Sequence, residues 1–224
     1  MTAASEAMTV GILIFDDVEV LDFCGPFEVF SVARRPSPGS ETESPALFHA
    51  VTIAETDAIV HCVGGLLVRP NHTIADHPPL DILVVPGGRG TRRERTNDVV
   101  LGWISEQHRA AQLTTSVCTG AFLLAATGLL DGHRATTHWA SIDWLRENYP
   151  AIDVRDDERV VDEGSIVTSA GISAGLDMAL SLVALLHGDA IATATARQIE
   201  YDWRPPISRA ATTETADRHA ATTP

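Results

Sequence analysis

Lysine is absent from this chain. All sixteen basic residues are arginine, against thirty Asp and Glu, for a formal net charge of -14 at pH 7. A surface of that sign repels phosphate backbones, so nucleic-acid binding is not expected. The missing lysine itself fits a GC-rich genome or an acidic, salt-adapted surface. Cysteine is scarce: Cys24, Cys62 and Cys118 are the three present. An odd number without CxxC spacing does not fit a disulfide framework. Metal binding is not expected either, because no HxH or CxxC spacing occurs, and His133 and His138 are five apart with a turn signal nearby. Long apolar runs are also missing. The most apolar helical stretch, near 174–187, carries Asp177 and Ser181, which marks a core helix and not a membrane span. Residues 1–9 lack a basic n-region and an apolar h-region, so no secretory leader is expected. A reducing cytoplasm, where a free thiol stays available, is the expected setting.

The 224 residues are 45% hydrophobic, enough for a full α/β core. A nearly continuous apolar run at 10–15 reads as a buried parallel strand, and 47–54, 81–85 and 113–117 read as further strands. A hairpin is expected over 60–68 around Gly64-Gly65, and two further strands over 154–162 and 165–168. Helices are expected from about Gly25-Pro26, over 97–111, 121–126 (with Gly128 as a C-cap), 141–148, 172–187 and 189–201. The Pro- and Ser-rich stretch 35–45 reads as a surface loop. This alternation predicts an α/β fold, a parallel sheet sandwiched by helices. No repeat or linker divides the chain, so one domain is expected over 8–203, followed by a flexible tail over 204–224.

The sharpest chemical signal is Thr114 to Gly128, in which a buried strand runs straight into Cys118-Thr119-Gly120 and then an apolar helix. A side chain at such an elbow lies at the carboxyl edge of the sheet, where open α/β folds bind ligands. It also lies over a helix N-terminus, which favours a thiolate. A buried, inert cysteine is the plainer alternative. A second strand ends in Pro86-Gly87-Gly88, whose N–H groups are positioned to form an oxyanion pocket beside Cys118, although a simple turn also explains it. Asp22 lies in an apolar stretch, where an acid needs a partner; it reads as a helix N-cap or as a carboxyl facing the thiol. His138 is the best-placed histidine of nine, while Thr119, not a histidine, directly follows the cysteine.

Together these segments resemble the ThiJ/PfpI superfamily, whose fold is class I glutamine amidotransferase-like and flavodoxin-like. The matching stretches are Val10-Gly11, Leu21 to Phe30, Asp81 to Gly88, Thr115 to Trp139 and Thr168 to Leu180. Within the superfamily they most resemble the isonitrile hydratases. That resemblance implies Cys118 as nucleophile, Asp22 as acid/base and Thr119 hydrogen-bonding near the thiol. It further implies backbone donors from Gly87 and Gly88, and a pocket bordered by Ser169, Ala170, Gly171 and the helix from Ile172. The implied reaction converts an isonitrile to an N-substituted formamide through a cysteine thioimidate. No metal or organic cofactor is implied, and a homodimer with sites near its interface is. The chain departs from the hydratase pattern at Cys24, where those enzymes carry Thr. The alternatives are a sensor or stress-response protein, or a glyoxalase/deglycase-like enzyme, of the same superfamily. The motif around Cys118 also occurs in sensor domains of AraC-type regulators, but no basic recognition helix is visible here. PfpI-like proteases place His where Thr119 stands. Glyoxalase-like relatives place Glu where Asp22 stands.

Overall fold

The computed structural model describes residues 7–35 and 44–204. The expected loop through 36–43, residues 1–6 and the expected tail beyond 204 lie outside the described residues. The chain begins with strand β1 (Met8–Leu13) and helix α1 (Val20–Val32), then β2 (Phe48–Ala54). A small hairpin, β3 (Val60–His61) and β4 (Leu67–Val68), turns at Gly64-Gly65. Then come β5 (His72–Thr73), β6 (Ile82–Val85), the short α2 (Thr91–Glu94) and α3 (Asp98–Ala110). Next are β7 (Leu113–Val117), α4 (Ala121–Ala126), β8 (Arg134–Ala135), α5 (Ile142–Asn148) and β9 (Asp153–Val154). The last elements are β10 (Val160–Asp162), β11 (Ile166–Ser169), α6 (Ala174–His187) and α7 (Asp189–Gln198).

The central sheet runs β10-β11-β7-β6-β1-β2-β5. Every pairing in it is parallel except the edge pair β10–β11. Helices α1, α6 and α7 pack together as one group and α2, α3 and α4 as another, flanking the sheet. Burial on both faces explains why β6 reads as an unbroken apolar run: all four of its residues are fully buried. Strand β7 is buried although three of its five residues are polar: the Thr114 and Thr115 hydroxyls find partners, while Ser116 Oγ is buried without one. Thr115 donates to the Leu83 carbonyl (3.0 Å), and Thr114 meets the His108 ring (3.0 Å).

Three expectations about elements are corrected. Helix α1 starts at Val20, five residues before Gly25-Pro26, so Pro26 sits inside it. Proline there removes the N–H that would bond the Asp22 carbonyl. The consequence matters for the site: Asp22 lies within the first turn and does not cap the helix. The expected strand over 154–162 is interrupted at 155–159; its start pairs with β8 and its end with β11. The helix expected from Ile172 begins at Ala174, because Ile172 adopts a left-handed φ of 53°.

Candidate active site

The site forms at the carboxyl ends of β6 and β7. Strand β7 ends at Val117, and the chain reverses through a 3-10 turn, Cys118–Gly120, into α4. Cys118 itself has φ 57°, a left-handed conformation that costs a non-glycine residue about 1–2 kcal/mol. Its backbone is fixed at both ends. The N–H donates to the Ala170 carbonyl (3.2 Å), and its carbonyl accepts the Thr137 hydroxyl (2.7 Å). Gly120 follows because a Cβ there would collide with the Val85 carbonyl oxygen.

Helix α1 brings Asp22 to the same point. The residue is fully buried. Its Oδ2 accepts the Gly87 N–H (3.1 Å), while its Oδ1 is buried without a hydrogen-bond partner. Burial pushes this carboxyl up to about 7 from the usual 3.8. The Cys118 side chain and the N–H groups of Gly87 and Ile172 oppose that shift, and the charge of Glu19 adds to it. Burial also pushes the Cys118 thiol up to about 12, with the Asp22 charge second; the N–H groups of Thr119 and Ile172 work against both. The two groups therefore titrate as one pair. The first proton leaves the carboxyl near neutral pH, and the thiol keeps its own well above that.

This corrects the idea that a helix N-terminus holds the thiol as an anion. Helix α4 has only six residues, and desolvation plus the neighbouring carboxylate outweigh it. A second correction concerns the donors. The N–H of Gly87 is spent on Asp22, and the N–H of Gly88 donates to Thr119 Oγ1 (3.1 Å). The N–H groups that face the sulfur belong to Thr119 and Ile172. The Thr119 hydroxyl is likewise turned into a local network, 3.1 Å from Thr91 Oγ1 and 3.2 Å from the Gly88 carbonyl.

The structure thus brings together Cys118, Asp22, Gly87, Gly88, Thr119 and Ile172. Gly87 permits the convergence: a Cβ there would lie 2.6 Å from the Thr119 nitrogen and 2.8 Å from Asp22 Oδ2. Gly171 contributes in the same manner, since a Cβ would collide with the His138 ring. His138 packs there and accepts from the Ala140 N–H (3.2 Å). Cys24 is half-buried, and its charge is among the causes that raise the buried Cys62 thiol. Thr91, Thr137 and Glu19 joined the site without a sequence signal. Among the described residues, no three His, Cys, Asp or Glu side chains cluster as a metal ion would need. No helix among them is long and apolar enough to cross a membrane.

Comparison with known proteins places this geometry in a family. The isonitrile hydratase of Pseudomonas putida is 39% identical over 202 residues, covering 90% of this chain and 82% of that enzyme. The HTH-type transcriptional regulator GbdR of Pseudomonas aeruginosa is 27% identical over 194 residues; the chain spans 51% of the regulator's length. The crystal structure of a ThiJ/PfpI family protein from Pseudomonas syringae superposes with a TM-score of 0.77 at 30% identity, covering 90% of this chain and 78% of that one. The pattern of the DJ-1/PfpI family matches residues 8–185. The chain belongs to the DJ-1/PfpI family.

Proposed function

We propose that the protein is a cysteine-dependent isonitrile hydratase, a hydro-lyase that turns isonitriles into N-substituted formamides. The observation that carries this reading is the buried pair: a thiol beside a carboxyl that keeps its proton up to about pH 7 and leaves one oxygen unpartnered. The 39% identity to an isonitrile hydratase supports the same chemistry.

The isonitrile carbon must gain one sulfur and one hydrogen. The pair holds both. With its carboxyl ionised, as in the fraction that has lost its proton near pH 7, Asp22 takes the thiol proton as Cys118 attacks the terminal carbon and delivers that proton to the carbon, so the S–H adds across it to give a thioimidate. The N–H groups of Thr119 and Ile172 stabilise charge on the sulfur. Asp22, again ionised, then accepts a proton from water as water attacks the thioimidate carbon. Collapse of that adduct breaks the C–S bond, protonates nitrogen, and releases the formamide with the thiol restored. Thr91, Thr119 and Gly88 hold the glycine loop against the elbow. The reading includes a cytoplasmic homodimer, tested by a solution mass twice that of the chain.

The direct experiment incubates the protein with an aliphatic isonitrile and follows formamide by nuclear magnetic resonance. Wild type turns over. Cys118→Ala does not, and Asp22→Asn loses about 10²-fold or more, the usual scale of a positioned acid or base. Full turnover by Cys118→Ala would remove the covalent route.

A further inference from the structure

Ile172 supplies a donor to the sulfur from a backbone conformation that a β-branched residue rarely adopts, φ 53°. Such a conformation persists only where the surroundings over-determine it. The segment 170–173 must therefore be held from outside, and one residue reaches it at both ends.

Arg159 stands just before β10. Its carbonyl accepts the Ala170 N–H (2.9 Å), and the Ala170 carbonyl in turn accepts the Cys118 N–H (3.2 Å). Its side chain crosses to the other end of the segment. Nε donates to Asp177 Oδ2 (2.6 Å), and a terminal nitrogen donates to Ser173 Oγ (3.0 Å). Tyr201 adds a donor to the second Asp177 oxygen (3.1 Å). Ser173 occupies the N-cap position of α6, yet its hydroxyl caps no helix N–H. That hydroxyl oxygen instead accepts from Arg159. The planar guanidinium fork serves both acceptors from separate nitrogens in a fixed geometry, which a single ammonium nitrogen does not provide.

We propose that Arg159 is a positioning residue for the Cys118 site: it clamps segment 170–173 from both sides and so holds the Ile172 N–H on the sulfur. The proposal rests on the hydratase reading for its catalytic readout, but not for its reactivity readout. Arg159 touches no reacting group. Its side chain is about half exposed, and exposed ion pairs contribute little to stability. Its effect therefore falls on the site and not on the fold.

The test compares Arg159→Met, Arg159→Lys and Ser173→Ala with Arg146→Met, an exposed arginine paired with Asp156 away from the site. Two rates are read: formamide turnover, and alkylation of Cys118 by iodoacetamide. Complete loss of an oxyanion donor costs about 10²–10³-fold, so a displaced one costs about tenfold. Arg159→Met is expected to lower kcat about tenfold with KM within about twofold, and to slow alkylation in step. Arg159→Lys recovers part of both, Ser173→Ala falls between, and Arg146→Met matches wild type. Alkylation of Arg159→Met within about twofold of wild type overturns the proposal. If Arg159→Met does not fold, Ser173→Ala decides, since it deletes one hydroxyl; an unchanged alkylation rate there overturns the clamp. If wild type hydrates no isonitrile, the function above falls, while the alkylation arm still judges Arg159.

Discussion

Replacing Asp22 with Asn should make the protein more stable as pH rises, and the size of the gain follows from burial. The folded carboxyl titrates near 7 against 3.8 when free. Between those values the unfolded chain has released the proton and the folded chain has kept it. Stability then falls by about 1.4 kcal/mol for each pH unit. About three units separate the two values, so wild type loses about 4 kcal/mol from this group by pH 8. Below about pH 4 the penalty is absent. Asparagine has the same shape, still accepts the Gly87 N–H, and never titrates. The sequence pI of about 4.9 limits solubility in acid, so the practical range is about pH 5.5 to 8. Over that range the stability of Asp22→Asn minus wild type should grow by about 2 kcal/mol, nearly all of it below pH 7. Urea unfolding followed by tryptophan fluorescence at several pH values reads this difference; groups not coupled to Asp22 cancel in it, and the Cys118 thiol, whose folded value lies far above this range, does not titrate within it. A difference that stays flat within about 0.5 kcal/mol would refute the buried, protonated carboxyl. So would a difference that shrinks with rising pH, which describes a stabilised carboxylate.

Three further outcomes test the geometry. Gly87→Ala places a methyl 2.6 Å from the Thr119 nitrogen and 2.8 Å from Asp22 Oδ2; kcat should fall at least about tenfold, and a well-folded variant of normal activity would mean the loop is looser than described. Thr137→Val removes the buried 2.7 Å bond to the Cys118 carbonyl and should cost about 1–3 kcal/mol in urea unfolding. Cys118→Gly should be at least as stable as Cys118→Ala although glycine is the more flexible residue, because only alanine keeps the left-handed strain at φ 57°; calorimetry on the two inactive variants decides the order.

The elbow was legible because its signal is local. A short strand, one cysteine, a glycine and an apolar helix lie within fifteen residues, 114–128, so the turn from strand to helix shows without any distant contact. The partnership of Cys118 with Asp22 was legible only as two costly residues in apolar settings, which the topology then had to bring together. What stayed hidden depends on competition among neighbours. Nothing local shows that Gly87 and Gly88 spend their N–H groups on Asp22 and Thr119. That left the donors to Thr119 and Ile172, the latter through a backbone angle that an isoleucine does not advertise. The thiol's direction was misjudged for a related reason: the helix end was visible in the pattern, while the depth of burial that outweighs it was not. Proline misplaced the start of α1, because an internal Pro26 reads as a helix beginning.

The most direct measurement is the state of Cys118 during a single turnover. Enzyme in excess over an aliphatic isonitrile, quenched in acid within the first turnover and digested, should yield the Cys118 peptide heavier by the full mass of the isonitrile. Cys24 and Cys62 should stay unmodified, and Asp22→Asn should carry less adduct at the same time point. Formamide accumulating while the Cys118 peptide keeps its native mass at every time point would contradict the account.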